Sequence, residues 1–123
     1  MKILIAAFLM VGQLATQPPE VDALLTDAAT DFQTHGSGAA DVRDVYAGTL
    51  PRGGGQAPFL IICGSFLPAG DAGAEWTDFA TIKMSDYEQW LGAGATTYCK
   101  QAKIDRTPGT ELTTALKRKL GLK

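Results

Sequence analysis

The stretch Pro58-Phe59-Leu60-Ile61-Ile62-Cys63-Gly64-Ser65-Phe66-Leu67 is a run of apolar residues that hardly alternates with polar ones. A short run of this kind is typical of a strand that is buried on both faces. We therefore predict that residues 58–67 form the central strand of a sheet. Glycine-rich segments at residues 50–57 and 68–75 bound this run and favour turns. The strands on either side are accordingly predicted to run antiparallel to it.

Two flanking segments carry the residue types of half-buried strands. Residues 41–49 (DVRDVYAGT) combine valines and a tyrosine with charges, which indicates a strand with one solvent-exposed face. Residues 76–84 (WTDFATIKM) predict a strand that presents one face made of Trp76, Ala80, Ile82 and Met84. Residues 95–100 (ATTYCK) fit a short fourth strand. Before it, residues 85–91 (SDYEQWL) are predicted to form a short helix or a turn, which ends at residues 92–94 (GAG).

Helical patterns lie at both ends of this strand-rich region. Residues 20–34 repeat apolar side chains at helical spacing, namely Val21, Leu24, Leu25, Ala28 and Phe32. A closing helix is predicted to begin at Thr107-Pro108-Gly109 and to end at Gly121. Its apolar stripe consists of Leu112, Leu116 and Leu120. The order of elements predicts an α+β domain with a small antiparallel sheet of three to four strands, an N-terminal helix and a C-terminal helix.

The N-terminal residues MKILIAAFLMVGQLA have the layout of a secretory signal peptide, because Lys2 precedes nine apolar residues and small and polar residues follow. The apolar run is shorter than the ~20 residues that a membrane-spanning helix needs. We expect residues 1–15 to be removed on export, with the cleavage site between residues 15 and 17. Residues 16–123 would then be one domain in a periplasmic or secreted location. The alternative is that the run forms a buried N-terminal strand or helix.

Cys63 and Cys99 are the only two cysteines of the chain. Because an oxidising compartment favours pairing, we predict a disulfide between them. The alternative leaves Cys63 as a nucleophile with His35, the only histidine, as its base. A reactive thiol usually lies at a helix N-terminus or beside a cation, whereas Cys63 ends an apolar strand.

Other chemistries find little support in the sequence. Asp71, Glu75 and Asp78 lack the dense ligand spacing of a calcium loop, and no cluster of Cys and His suits zinc. The glycines at residues 53–55 lack the Lys-Ser/Thr pair that completes a phosphate-binding loop. We therefore predict no metal and no cofactor. A net charge of −2 also argues against a nucleic-acid partner.

Two features of the sequence point to partners. Trp76 and Trp90 each lie beside a Gly/Ala-rich segment, so each either fills the core or anchors a partner. Residues 100–123 hold 7 basic and 2 acidic residues, whereas residues 16–99 hold 3 basic and 11 acidic ones. The basic end either complements the dipole of the closing helix or contacts an anionic surface. In the second case the contacting residues would be Lys117, Arg118, Lys119 and Lys123.

Two segments together resemble a known sequence pattern. Residues 39–45 (AADVRDV) are similar to an S-A-x-F-R-x-V motif, and residues 63–79 (CGSFLPAGDAGAEWTDF) are similar to a C-G-x-V-N…G-Y-T-G-F motif. Both motifs occur, in this order, in small exported bacterial proteins of uncharacterised function. Ala39 stands where the pattern has Ser, and Leu67 where it has Asn. The resemblance implies an exported α+β domain of bacterial origin and carries no catalytic residue over.

The sequence therefore predicts a small exported domain, stapled by one disulfide, with a binding or structural role and without catalysis. The partner is an unknown protein or envelope component, and the oligomeric state is open. A second hypothesis is a secreted hydrolase that uses His35 with Cys63 or with a carboxylate. A third is peripheral association with an anionic surface through the basic closing helix.

Overall fold

The computed structural model describes residues 18–35, 38–70 and 72–123. The predicted signal peptide and its cleavage site lie outside these residues. The elements are α1 (Pro19–Thr34), β1 (Ala39–Leu50), β2 (Phe59–Pro68), β3 (Thr77–Lys83), β4 (Tyr87–Leu91), α2 (Ala93–Gln101), β5 (Lys103–Ile104) and α3 (Thr113–Leu120). Among them, no helix is long and apolar enough to cross a membrane. The predicted α+β class is confirmed.

The sheet has five antiparallel strands in the order β4-β3-β2-β1-β5. The apolar strand β2 lies at its centre, as the unalternating run predicts, because helices cover both faces there. The prediction of three to four strands was wrong in number. The sequence revealed neither β4 nor β5, and the two residues of β5 are too few to show any alternation.

One face of the sheet packs against α1 and α3. Leu24, Leu25 and Phe32 of α1 and Leu112 and Leu116 near α3 share one buried cluster with the strands. The rings of Phe32, Phe66 and Phe79 contact one another in this cluster, with the centroids of Phe32 and Phe79 5.1 Å apart in an edge-to-face arrangement. This cluster is the larger of the two parts of the core.

Gly64 of β2 makes room for this aromatic cluster. A Cβ atom at this position would lie 2.9 Å from the Phe79 ring and 2.9 Å from a methyl group of Val45. Carbon atoms do not approach so closely without displacing one another. The glycine in the LIICGSF stretch is therefore a packing requirement of the central strand.

The other face of the sheet packs against α2. Ala95 of α2 is buried against a second cluster that contains Ile61, Cys63, Ala80 and Ile82. Met84 packs against the same cluster, so three residues of the face predicted for residues 76–84 lie together. Trp76, the fourth, precedes β3 and is only half-buried.

Two local predictions around β4 were wrong, because a segment predicted as a helix or turn is a strand and a segment predicted as a strand is a helix. Residues 87–91, predicted as a helix or turn, form strand β4 beside β3. Residues 95–100, predicted as a strand, lie in helix α2, so Cys99 is helical. The Thr97 hydroxyl donates to the carbonyl of Ala93, four residues earlier, and the Thr96 hydroxyl donates to the carboxylate of Asp78 on β3. These hydrogen bonds satisfy the threonine hydroxyls within the helix, although threonine as a residue type prefers strands.

The closing helix α3 begins at Thr113, not at the predicted Thr107. Asp105 explains the delay, because its Oδ1 accepts hydrogen bonds from the backbone N–H and the hydroxyl of Thr107. Such a side-chain turn offers the backbone an alternative to a helix. The helix ends as predicted at Gly121, whose φ of 73° places it in the left-handed region.

The stripe of α3 docks on the domain as the sequence predicts, since Leu112 and Leu116 are buried and Leu120 packs against the same cluster. We expect Leu116→Ala to lower the free energy of unfolding by about 2–4 kcal/mol, because Leu116 is completely buried and the change leaves a cavity. Urea denaturation measures this loss. Thr114→Ala, at an exposed position of the same helix, is the control and should change stability by less than about 0.5 kcal/mol. A similarly small loss for Leu116→Ala would mean that α3 is detached.

Candidate functional site

Cys63 and Cys99 form a disulfide that joins the centre of the sheet to α2, with Cα atoms 6.1 Å apart. The predicted pairing is confirmed. Cys63 therefore has no thiol in this structure, and a thiolate nucleophile at this position is not available. What the bridge does is hold α2 against β2.

His35 is an exposed residue at the end of α1, with 71% of its side chain accessible. Its Nδ1 lies 3.2 Å from Oδ1 of Asp31 and 3.1 Å from the hydroxyl of Thr34. A catalytic histidine needs one ring nitrogen for the orienting carboxylate and the other for the nucleophile. Here both groups contact the same nitrogen, so the geometry does not form a nucleophile–base–carboxylate relay.

No group of three or more His, Cys, Asp or Glu side chains suited to a metal occurs among the described residues. Asp71, one of the acidic residues weighed for calcium, lies outside them. Asp78 accepts hydrogen bonds through Oδ1 from the Ser65 hydroxyl (3.2 Å) and through Oδ2 from the Thr96 hydroxyl (2.5 Å). This carboxylate therefore joins the start of α2 to β2 and β3.

The two tryptophans lie in different surroundings. The guanidinium of Arg43 lies over the ring of the half-buried Trp76, 4.1 Å from its centroid. Trp90 is 38% exposed on β4, packs against Tyr98 of α2 and donates from Nε1 to Oε1 of Glu88. Of the two residues that the sequence singled out, Trp90 is the one with substantial apolar surface available to a partner.

Leu91, next to Trp90, is 51% exposed and was not singled out by the sequence. Because side chains alternate along a strand, Trp90 lies on the α2 side of the sheet and Leu91 on the α1 side. The two are the large apolar side chains that are exposed in the described part of the chain. β4 thus presents an apolar group on each side of one sheet edge.

The backbone of β4 also has an unused side. Gly92 N–H donates to the Asp78 carbonyl, so residues 88, 90 and 92 direct their backbone groups towards β3. The alternation then directs the backbone groups of Tyr87, Gln89 and Leu91 outward. No strand among the described residues pairs with this side. We call the outward backbone of β4 together with Trp90 and Leu91 the β4 edge.

Polar contacts hold the α1 side of β4. The Tyr87 hydroxyl donates to Oδ1 of Asp31 at 3.2 Å, and burial together with the negative charge of Asp31 raises the pKa of Tyr87. The buried Thr81 hydroxyl donates to Oε1 of Gln89. Nε2 of Gln89 is buried and has no hydrogen-bond partner among the described residues. A buried unpaired donor is locally unfavourable.

The basic residues of the closing helix are partly engaged within the chain. Lys117 pairs with Asp41 at 3.3 Å, and Lys119 pairs with Asp22 at 3.1 Å. Arg118 and Lys123 are exposed. Two of the four charges weighed for an anionic surface therefore already face carboxylates of this domain, which reduces the attraction that the sequence suggested.

Comparison with protein-family models, with curated proteins and with solved structures finds no match to this chain. The resemblance to exported bacterial proteins stays a prediction. Its residues nevertheless meet in space: Arg43 covers Trp76, and Gly64 lies under Phe79. In this chain those positions have packing roles, and none of them belongs to the β4 edge.

Proposed function

We propose that this chain is an exported, non-enzymatic domain that binds an extended segment of another protein along the β4 edge. The observation that carries the proposal is the exposure of Trp90 and Leu91 beside outward backbone groups. Strand addition uses these two elements, since main-chain hydrogen bonds supply affinity and flanking side chains supply specificity.

Export is supported by the sequence layout of residues 1–15 and by the disulfide. A bridge between the only two cysteines is typical of proteins that fold in an oxidising compartment. A periplasmic or secreted location follows from these two features as part of the proposal. The resemblance to exported bacterial proteins supports the same location.

The charge of the β4 edge indicates what the partner segment contains. Asp86 and Glu88 are exposed at this edge, and the region of residues 16–99 is strongly acidic. A basic residue opposite Glu88 and an apolar residue against Leu91 would complement the edge. The partner we propose is therefore a mixed basic and apolar strand.

Site-specific photo-crosslinking in the producing cells tests the proposal. A photoreactive residue at position 88 should give an adduct with another protein, whereas one at position 114 on α3 should not. Leu91→Pro removes one outward N–H and the Leu91 side chain without touching the bonds to β3, so it should reduce the adduct by at least about fivefold, the effect of one lost hydrogen bond. Gln56→Pro, in the exposed loop before β2, is the matched proline control and should leave the adduct unchanged.

Equal adducts at positions 88 and 114 would contradict strand addition at β4, and so would an adduct whose yield is unchanged in Leu91→Pro. An adduct with the mass of two copies of this chain would show that the domain binds itself and not another protein. This result would overturn the proposal. Circular dichroism of Leu91→Pro establishes that the fold is retained.

A further inference from the structure

A second feature, remote from β4 in the strand order, is a cleft at the opposite edge of the sheet. Its volume is ≈ 260 Å³, and it lies between the start of α1, strand β1 and the loop before α3. Its apolar lining consists of Pro18, Val21, Ala47 and Leu112, and its polar lining includes Asp105 and Thr110. No sequence pattern pointed to it, because these residues come from three distant segments.

The floor of the cleft belongs to the main core. Leu112 is a buried member of the α1-side cluster, and Val21 and Ala47 pack against that cluster. An apolar group placed in the cleft would therefore continue the core and lose its contact with water. Because a water-sized group occupies about 30 Å³, a cleft of this volume accommodates roughly nine non-hydrogen atoms.

The polar end of the cleft is an oriented carboxylate. Oδ1 of Asp105 accepts from the Thr107 backbone N–H at 3.0 Å and from the Thr107 hydroxyl at 2.5 Å. The hydroxyl bond, and after it the backbone bond, lower the pKa of Asp105, so its negative charge is retained at neutral pH. Oδ2 receives no donor from the described residues.

The charged groups near Asp105 do not neutralise its carboxylate, so the carboxylate still favours a cation. Arg106, the next residue, lies over the ring of Tyr46, 5.1 Å from its centroid. Neither Arg106 nor Tyr46 is among the residues that line the cleft. The N-terminus of α1 favours an anion, but Glu20 and Asp22 in its first turn offset that dipole.

We propose that the cleft binds a small organic cation, an ammonium group on an apolar body of about six carbons, with the charge on Asp105 and the body on Ala47 and Leu112. The carboxylate disfavours an anion, and a neutral apolar molecule would gain nothing from the charge of Asp105, which is exposed to solvent at the rim. This binding is separate from that at the β4 edge, so either proposal can fail without the other.

Nuclear magnetic resonance titrations with three matched probes, hexylammonium, hexanol and hexanoate, test the inference on the folded protein at pH 7. Hexylammonium should shift the Ala47 methyl and Thr110 amide signals and bind at least fivefold more tightly than hexanol, with hexanoate weakest. Equal affinities for hexylammonium and hexanol would overturn the assignment of the charge to Asp105. Shifts confined to other residues, or no saturable shift, would overturn the cleft itself.

Three variants separate the charge from the cavity. Asp105→Asn keeps an oxygen that accepts from Thr107 but removes the charge, so hexylammonium should bind no better than hexanol. Ala47→Leu fills the floor and should abolish binding of all three probes. Glu75→Gln, at an exposed carboxylate of the loop before β3 that does not line the cleft, should change nothing. Hexylammonium affinity that is unchanged in Asp105→Asn, or that falls equally in Glu75→Gln, contradicts a specific role for Asp105.

Discussion

Replacement of both cysteines, Cys63→Ala with Cys99→Ala, is expected to lower the free energy of unfolding by about 3–4 kcal/mol. The bridge joins residues 36 positions apart, and a loop of this length restricts the unfolded chain by that amount in the chain-entropy account. A small domain has only about 5–15 kcal/mol of stability, so the loss is a large part of the total. Urea denaturation of the oxidised protein and of the double variant measures it.

Reduced wild-type protein is the control for this change, because it loses the bridge and keeps both sulfur atoms. It should unfold at nearly the same urea concentration as the double variant. Alkylation of the oxidised native protein should label no thiol. Two labelled thiols would show that the bridge is absent in solution, and the thiol hypothesis for Cys63 would then return.

Phe79→Ala is expected to cost about 3–5 kcal/mol, the largest loss from a single side chain that we predict. Phe79 is fully buried, contacts the rings of Phe32 and Phe66, and lies against Gly64 of the central strand. Because the backbone of β2 fills the space below the ring, the cavity left by alanine cannot close from that side. The midpoint and slope of a urea transition give the change in free energy.

Phe59→Ala provides the matched control, since it deletes the same side chain from the start of β2. Phe59 is only partly buried and stacks with Arg52 of the preceding loop. We expect its loss to cost less than about 2 kcal/mol, because part of its surface already contacts water. Equal losses in the two variants would contradict the central position of the Phe79 cluster.

The sequence sufficed for the parts of the fold that have long, regular apolar patterns. The unbroken run in β2 identified the central strand, and the stripe along α1 predicted a helix over residues 20–34 that the structure places at Pro19–Thr34. Both patterns extend over enough residues that a single exception does not obscure them. The pairing of Cys63 with Cys99 needed only their number and the expected compartment.

The predictions for short segments were wrong where contacts with residues distant in sequence decide the structure. Thr96, Thr97 and Tyr98 favour a strand by local preference, yet the bridge at Cys99 and the burial of Ala95 hold them in a helix. Five residues of β4 fit an alternating pattern and a helical one equally well. Its pairing with β3 settles the choice, and that pairing is not visible in the segment itself.

The sequence predicted only some of the residues that form the candidate sites. Trp90 stood out as a tryptophan beside glycines, but its exposure depends on how much of its ring Tyr98 covers. Leu91 looked like any apolar residue at the end of a segment. Asp105 and the apolar residues of the cleft share no local motif, so nothing short of the fold brings them together.

The two edges of the sheet differ in whether they can pair with a further strand. On the β1 edge, both backbone groups of Val45 are occupied, since Leu112 N–H donates to its carbonyl and its N–H donates to the Thr113 hydroxyl. Asp105 N–H occupies the Ala47 carbonyl, and β5 beyond it is only two residues long. A fibre that grows by edge pairing needs two free edges on every subunit. With this edge blocked, the proposed strand addition at β4 would end after a single partner, because the C-terminal segment of the domain prevents repeated edge-to-edge stacking.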